Sequence, residues 1–570
     1  MKSILLTLVS LIFAAPTAQA QWQSTTYTLK GGWNSIYLHG DASYATLDDL
    51  FASNLEVLEV WRWNPNPNQV GFITSPLIPT NGTPEWSKWV RDTTVGNSLV
   101  GMTGQSAYLV KCSGTTADSY SVPIAYKPMP PNNSWVRSGA NFIGFPSSKA
   151  TGNFPAFASY FATFPAAIAS NAKIFKYIGG DLGANNPLQV FSTSSERLDR
   201  NQAYWFSSEV VGNFYAPVQI SLSNSDGLAF GRRRSVITAR VMNRTAAVMT
   251  VTINPVSSNS PPSGQELVTD GVPLTRRTFN DQGEWVETAI SGAYDEVIAP
   301  NSSVELSFGI DRGLMVGAAD ALYASLLRFT DSANTFDILI PATARKSTLA
   351  GLWIGEALVT AVESKPLEDA VKSTGSAFPL RYLIHVSDDG TARVLSQIFM
   401  GPMVAAPHDF GLCLSEAGLK ADAKSYASRI VATHMPLDLA LGTTGSFAIG
   451  DDLSCTIATP FDDPTNPFVH QYHPDHDNKS GQTELLAGQE SYDVTREVTF
   501  TFTDAPPGGG SATGWGSSVI GGTYGEVVSG LHRDSVGVGT GDDGLNTGDG
   551  LNLSGTFELR RASELGTLNP

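Results

Sequence analysis

The sequence predicts a mainly β protein built from several small domains in series. Glycine and proline are abundant, with 54 and 33 residues in a chain of 570, whereas charged residues make up only 16%. Such a composition is typical of short strands joined by many turns. The length suggests three to five domains. We therefore expect several β-sandwich or β-barrel-like domains, one of them immunoglobulin-like.

The first 20 residues have the pattern of a secretory signal peptide. Lys2 supplies one positive charge, and the apolar run that follows, 4–15, is too short to span a bilayer. The small residues Ala18 and Ala20 fit a cleavage site before Gln21. We therefore expect an exported protein that works in the periplasm, at the cell surface or outside the cell, without a transmembrane segment in its mature form.

The next 200 residues contain one pattern twice. Each occurrence has an apolar strand, a short helical segment, an aromatic-cation-aromatic strand and a final strand with an Ala-Tyr pair. The matched segments are 32–38 with 139–145, 47–51 with 157–161, 61–63 with 175–177, and 105–110 with 201–206. Four matches in the same order, about a hundred residues apart, indicate an internal duplication. We call residues 21–127 copy 1 and residues 128–221 copy 2.

This pattern resembles a module of exported bacterial multidomain β-proteins. That module opens with a Gly-Trp-Asn strand, here residues 32–34, and ends with an Ala-Tyr-Trp-like strand, here residues 203–205. Copy 2 has Ala140 where copy 1 has Trp33, so a role of Trp33 need not be shared. The resemblance covers residues 25–221. It implies a small β-domain in an uncharacterised group, with no catalytic residues to transfer.

Two further domains are predicted after the copies. Residues 222–320 contain alternating β-branched runs and a proline-polar turn before the strand at 304–308, which is typical of an immunoglobulin-like sandwich. Residues 321–570 are predicted to form a larger β-domain. Asp388, Asp389 and Gly390 indicate a hairpin within it, and residues 415–433 indicate a helical insertion.

The densest group of potential metal ligands lies in the loop 470–478, which holds three of the eight histidines. Imidazoles with one carboxylate would suit Zn²⁺ or another transition ion, whereas carboxylate and amide oxygens would suit Ca²⁺. A polar turn held by Asx hydrogen bonds and a proline is the third interpretation, and the sequence leaves all three open. The candidate ligands are His470, His473, Asp475, His476 and Asp477.

Tryptophans are concentrated in copy 1, which holds six of the 11 in the chain. Trp33, Trp61 and Trp63 are candidate glycan-binding residues, and the last two share one strand face because side chains alternate. Exposed, these rings could stack on sugars; buried, they would fill the core of a small β-domain. The aromatic residues Phe175 and Tyr177 at the matched positions of copy 2 favour the core.

Three cysteines are too few for a disulfide framework. Cys413 and Cys455 could pair in an oxidising compartment and leave Cys112 free. The alternative is that all three are buried thiols.

Motifs of common enzymes are missing from the sequence. It contains no His-Glu-x-x-His, no Gly-x-Ser-x-Gly and no phosphate-binding Gly-x-x-x-x-Gly-Lys-Ser/Thr. The net charge of −17 argues against nucleic acid as a partner. The sequence therefore favours a non-catalytic surface or secreted protein with a binding, adhesive or structural role, whose partners are glycans, cell-envelope components or other surface proteins. The alternative is a carbohydrate-active protein, either a glycan-binding accessory or a divergent glycoside hydrolase.

Calorimetric titration of the mature protein with Zn²⁺ and Ca²⁺ distinguishes the three interpretations of the histidine loop. Transition-metal binding needs neutral imidazole, so we expect its affinity to fall below about pH 6. Calcium held by carboxylates should weaken only near pH ~4. If neither ion produces heat at either pH and the purified protein contains no metal, the loop is a structural turn.

Overall fold

The computed structural model describes residues 21–64, 79–93, 96–137, 141–183, 186–365, 368–399, 441–459, 494–509, 513–529 and 550–567. Within these residues the chain is mainly β, with several separate sheets and only short helices. The predicted fold class, several β-domains in series, is confirmed. The chain forms two compact units. The first runs to Ile310 and includes Asp320–Lys346, and the second combines Asp311–Ala319 with the described residues from Ser347 onward.

Copy 1 forms two antiparallel sheets that share a core. Their orders are β2-β6-β4-β5 and β1-β7-β3. Tyr27 and Leu29 of the second sheet pack against Ile36 and Tyr108 of the first. The elements are β1 (Gln23–Lys30), β2 (Gly32–Leu38), β3 (Gly40–Asp41), α1 (Leu47–Leu50), β4 (Val57–Trp63), β5 (Trp86–Val90), β6 (Ser106–Cys112) and β7 (Ser119–Pro128).

Copy 2 forms a four-stranded antiparallel sheet and a small strand pair. The orders are β11-β10-β12-β9 and β13-β8. Its elements are β8 (Ser134–Trp135), β9 (Asn141–Ile143), α2 (Phe157–Tyr160), a 3₁₀ helix (Pro165–Ile168), β10 (Lys173–Lys176), β11 (Leu188–Val190), β12 (Tyr204–Ser207) and β13 (Gly212–Asn213).

The main sheets of the two copies agree in strand order and in register. The order β2-β6-β4-β5 becomes β9-β12-β10-β11 when the three strands matched in the sequence are exchanged and β11 takes the place of β5. Ile36 lies opposite Tyr108 in copy 1. The matched Ile143 lies opposite Tyr204 in copy 2. The cation of the aromatic-cation-aromatic strand also faces this tyrosine in both copies.

Two local hydrogen bonds also occur in both copies, and the first involves the matched tyrosines. The hydroxyl of Tyr108 accepts a hydrogen bond from the Thr103 amide at 2.8 Å. The hydroxyl of Tyr204 accepts one from the Asp199 amide, five residues upstream as in copy 1, also at 2.8 Å. A buried phenol needs such a partner, so each tyrosine fixes the chain that leads into its strand.

The second shared feature is the asparagine of the opening strand. The side chain of Asn34 bonds both the amide and the carbonyl of Lys30, at 3.0 and 2.7 Å. Asn141 does the same to Val136, at 2.7 and 3.1 Å. An amide side chain can supply one acceptor and one donor at once, and asparagine is short enough to reach the neighbouring backbone.

Residues 218–345 form two five-stranded sheets. The orders are β14-β16-β21-β18-β19 and β15-β23-β22-β17-β20, and only the β15–β23 pair is parallel. Burial alternates along β16 and β17, as expected for strands with one face in a core. The elements are β14 (Val218–Leu222), β15 (Leu228–Gly231), β16 (Val236–Asn243), β17 (Met249–Val256), β18 (Leu274–Phe279), β19 (Trp285–Ala289), β20 (Tyr294–Ile298), β21 (Ser303–Ile310), a 3₁₀ helix (Arg312–Leu314), β22 (Leu322–Asp331) and β23 (Asp337–Arg345).

The predicted domain boundary at residue 320 needs a correction. The sequence analysis placed β22 and β23 in the C-terminal domain, but β22 pairs with β17 over six residues and with β23 on its other side. The two strands therefore complete a sheet that begins before the boundary. They are alternating apolar strands like their neighbours, and the sequence pattern alone does not say which sheet they join.

The described part of the second unit contains one nine-stranded antiparallel sheet that nearly closes on itself. Its order is β27-β26-β25-β24-β32-β31-β30-β29-β28. Only Thr443 separates β27 from β28, which pair with strands at opposite ends of the sheet. The strands are β24 (Gly351–Lys365), β25 (Glu368–Val386), β26 (Ala392–Phe399), β27 (Leu441–Gly442), β28 (Thr444–Gly445), β29 (Asp452–Thr459), β30 (Val494–Phe502), β31 (Val519–Ser529) and β32 (Gly550–Ser563).

The predicted hairpin at Asp388-Asp389-Gly390 joins β25 to β26. Gly390 adopts a positive φ of 89°, which favours glycine at this turn. The predicted helical insertion at 415–433 lies outside the described residues.

A buried polar network crosses the interior of the nine-stranded sheet. Tyr382 of β25 and Tyr524 of β31 meet through their hydroxyls at 2.7 Å, although three strand steps separate them in the sheet. Tyr524 donates to Glu526 at 2.6 Å, and Glu526 forms a buried ion pair with Arg496. Burial raises the pKa of both phenols. The network therefore ties opposite sides of the curved sheet together.

We expect Glu526→Gln to destabilise the second unit by about 3–5 kcal/mol, because it leaves the Arg496 charge buried without its counter-ion. The measurement is the denaturant midpoint of that unit's unfolding. Glu558→Gln in the same sheet is the control, since its pair with Arg560 is exposed and should be worth less than about 1 kcal/mol. Equal effects of the two substitutions would contradict a structural role for the buried pair.

Candidate functional site

The three candidate glycan-binding tryptophans lie between the two copies. Trp33, Trp61 and Trp63 are 8%, 6% and 5% exposed. They belong to one apolar cluster to which both main sheets contribute, and the Trp63 and Trp205 rings lie 5.4 Å apart. Their ring faces are therefore packed against protein, as in the core interpretation. The cluster, which we call the aromatic layer, consists of Trp33, Tyr37, Trp61, Trp63, Trp86, Ala107, Leu109, Phe142, Tyr177, Ala203 and Trp205.

Charged side chains contact two tryptophans at the edge of the aromatic layer. The indole of Trp61 donates to Glu59 at 2.8 Å, and Lys111 forms an ion pair with Glu59 at the same distance. The Lys111 ammonium also lies 5.5 Å from the centre of the Trp33 ring. Cations over indole faces are attracted by the ring electrons. These contacts therefore already use the indole N–H of Trp61 and one face of the Trp33 ring.

Backbone hydrogen bonds also join the two copies and explain the glycine of the opening motif. The Trp33 amide donates to the Gly180 carbonyl at 2.8 Å, and the Gly179 amide donates to the Trp33 carbonyl at 2.9 Å. A Cβ on Gly32 would lie 2.4 Å from the Gly180 backbone. Glycine at position 32 therefore permits this close approach.

A second buried junction in the first unit contains a histidine. His39 Nε2 contacts the Arg200 carbonyl at 2.8 Å, while the Arg200 guanidinium bonds backbone oxygens of Ser147 and Asp337. Burial and the nearby Arg200 charge hold the pKa of His39 well below its usual value. We assign His39 a structural role, because its neutral, buried imidazole contacts the backbone of a distant segment of the same unit.

The candidate metal ligands at 470–478 lie outside the described residues. Among the described residues, no three His, Cys, Asp or Glu side chains come together as metal ligands would. Cys112 and Cys455 are buried free thiols, and burial raises the pKa of each to about 12. Cys413 lies outside the described residues.

In the part of the chain that the structure describes, no helix is long and apolar enough to cross a membrane.

One tryptophan differs from all the others in exposure. Ten of the 11 are buried, whereas Trp285 is 49% exposed. It lies in β19 directly opposite Phe279 of β18, which is 60% exposed, and the two ring centres are 3.9 Å apart. Both residues lie beyond the last β18 residue that pairs with β21, so the hairpin tip extends past the sheet. We call this pair with its connecting turn the aromatic tip.

A ladder of cross-strand contacts holds the aromatic tip. The Arg277 guanidinium lies 4.7 Å from the centre of the Trp285 ring and pairs with Glu287 at 3.0 Å. Thr275 donates to the other oxygen of Glu287 at 3.0 Å. Residues 275, 277 and 279 of β18 share one face, as do their partners 289, 287 and 285 of β19. The tip is therefore preorganised by its own hairpin.

The turn of the hairpin is also fixed, and it is acidic. The Asn280 side chain accepts hydrogen bonds from the amides of Gln282 and Glu284, at 3.0 and 2.8 Å. Gly283 has a φ of 78°, which favours glycine there. Residues 278–298 contain five carboxylates and no lysine or arginine. The aromatic tip therefore carries uncompensated negative charge at Asp281 and Glu284.

The outer side of β19 presents backbone groups for pairing. This strand is the last in its sheet. The Asn280 amide donates to the Glu284 carbonyl and the Ile290 amide to the Leu274 carbonyl, both at 2.9 Å. Because bonded and non-bonded pairs alternate in an antiparallel ladder, the amides and carbonyls of Trp285, Glu287 and Ala289 point away from β18. An extended chain could pair with these groups.

Comparisons with known proteins leave the chain without an assigned family. No protein-family model matches it, and no curated protein matches it. Among solved structures, the CupB2 chaperone of Pseudomonas aeruginosa is 13% identical, over 30% of this chain and 94% of that chain, with a TM-score of 0.14. A mutant of Salmonella alpha-2-macroglobulin is 10% identical, over 98% of this chain and 45% of that chain, with a TM-score of 0.14. Similarities this low support no inference about function.

The aromatic tip was not among the sites predicted from the sequence. Its signal is nevertheless visible, because Phe279 and Trp285 flank an Asn-Asp-Gln-Gly-Glu turn between two runs rich in β-forming residues. Six tryptophans in copy 1 directed the glycan-binding prediction to that copy, where Trp33, Trp61 and Trp63 are buried. Abundance of aromatic residues does not distinguish a core from a surface.

Proposed function

We propose that the protein is an exported, non-catalytic surface or secreted protein that binds partners through its β-modules. The aromatic tip is the observation that carries this proposal. A half-exposed indole next to a more exposed phenyl ring is unusual in a chain that buries its other ten tryptophans. Exposed aromatic residues on a rigid support are typical of binding surfaces.

We further propose that copies 1 and 2 arose by duplication and belong to the exported bacterial proteins whose Gly-Trp-Asn module they resemble. Matching registers and matching local hydrogen bonds at Asn34 and Asn141 support this. The signal-peptide pattern supports export. In this view the duplicated pair is a support for the β-rich region that follows it.

The alternative is a glycan-binding or glycan-cleaving protein. The burial of its predicted glycan-binding tryptophans disfavours it. Trp33, Trp61 and Trp63 are buried, and stacking on them would require the two copies to separate. Phe279 remains an exposed ring on which a sugar could stack. Glycans therefore belong among the probes of the binding test.

The test uses protein recovered after secretion. N-terminal sequencing of this protein should give Gln21 as the first residue. We expect it to sediment with isolated cell envelopes, and we expect the double variant Phe279→Ser/Trp285→Ser to lose on the order of tenfold in affinity because the exposed anchors dominate such contacts. Phe191→Ser is the matched control, since Phe191 is 83% exposed but lies in copy 2.

Three results would contradict the proposal. The protein could retain Met1, it could fail to bind envelopes and a glycan array alike, or it could release soluble sugars from them. The last result would establish the hydrolase alternative.

A further inference from the structure

We propose that the open edge of β19 binds an extended peptide segment containing lysine or arginine, which adds to the sheet as a sixth strand. This inference deepens the proposed function and rests on it. It names the chemistry of the partner and the atoms that recognise it.

The backbone of β19 supplies the first part of the recognition. The alternation set by the β18–β19 register leaves three amides and three carbonyls, those of Trp285, Glu287 and Ala289, directed outward. An incoming strand could satisfy all six groups. Residues 285–289 contain no proline and no lysine, two residues that discourage pairing at a sheet edge.

The charge of the hairpin selects the side chains of the partner. Arg276 and Arg277 are already paired with Glu296 and Glu287, at 2.6 and 3.0 Å. The carboxylates of Asp281 and Glu284 at the turn have no such cation in the segment 278–298. Lysine or arginine side chains of an added strand would reach these carboxylates at the end of the strand.

Aromatic rings next to the carboxylates add to the preference for a cation. Phe279 is the more exposed of the two rings at the end of this face, and cations are attracted to aromatic faces. The Trp285 ring already has Arg277 and Phe279 close to it, which leaves less of its face for a flat sugar. Negative charge at the turn disfavours an anionic membrane surface.

The experiment uses three capped nine-residue peptides and the full mature chain. One peptide alternates lysine with threonine, the second has glutamate in place of lysine, and the third is the lysine peptide with every backbone amide methylated. Fluorescence anisotropy measures affinity. Hydrogen–deuterium exchange measures protection of residues 284–290.

We expect the lysine peptide to bind at least about tenfold more tightly than the glutamate peptide, and more weakly as salt rises, because exposed charges are screened. It should slow exchange at residues 284–290. The methylated peptide has the same charge but should not bind, because it cannot donate to the edge.

Variants of the chain test each contribution separately. Asp281→Asn/Glu284→Gln should lower the affinity for the lysine peptide on the order of threefold to tenfold, because it removes charge at the edge of the binding surface. Ala289→Pro should abolish binding by removing an outward amide, since proline is tolerated on edge strands where its nitrogen faces solvent. Unchanged exchange in β18 is the control that each variant is folded.

Equal binding of the lysine and glutamate peptides would overturn the inference, and so would binding of the methylated peptide or binding without protection of 284–290. Binding of glycans at the aromatic tip instead of peptide would overturn it in favour of sugar recognition. If envelopes bind and depend on Trp285 while no peptide binds, the inference fails and the proposed function stands. If envelopes, glycans and peptides all fail to bind, both the inference and the proposed function fail.

Discussion

The first unit depends on the packing of two similar sheets through the aromatic layer. One face of each main sheet packs against the core of its own copy. The other face packs against the main sheet of the other copy. Trp61 and Trp63 of copy 1 and Trp205 of copy 2 fill the space between them. Large aromatic side chains bury much apolar area per residue, and tilted rings in contact add to that gain. Each main sheet is therefore buried on both faces, although each copy is a small β-domain.

Matching registers make this packing possible. In both copies the Ala-Tyr strand is central, and the aromatic-cation-aromatic strand lies on one side of it with the opening strand on the other. Residues at matched positions therefore face the same way, and both sheets present aromatic residues to each other. Backbone bonds from Trp33 to Gly180 then fix the separation of the sheets at one edge. The other tryptophans of this unit are buried in this layer or in neighbouring cores, and the unit exposes an indole only at Trp285.

Much of this architecture could be predicted from the sequence, because strands leave a period of two in the pattern of apolar residues. The fold class and the hairpin at Gly390 follow from such local signals. Which way Trp61 and Trp63 face does not, since alternation shows that they share a face but not what covers it. The membership of β22 and β23 was equally hidden, because a strand's partners depend on distant segments. The open edge at Trp285 is a property of the sheet order, which no local pattern encodes.

A double-mutant cycle between Trp63 and Trp205 tests the aromatic layer most directly. Each residue is replaced by leucine, singly and together, and the free energy of unfolding of the first unit is measured for all four proteins. If the copies pack as described, the two substitutions are coupled by about 0.5–1.5 kcal/mol, as for contacting aromatic rings. A matched cycle pairs Trp63 with Trp135, a copy 2 tryptophan outside the aromatic layer. Its two substitutions should have additive effects on the free energy of unfolding. Additivity between Trp63 and Trp205, or equal coupling in both cycles, would contradict the account.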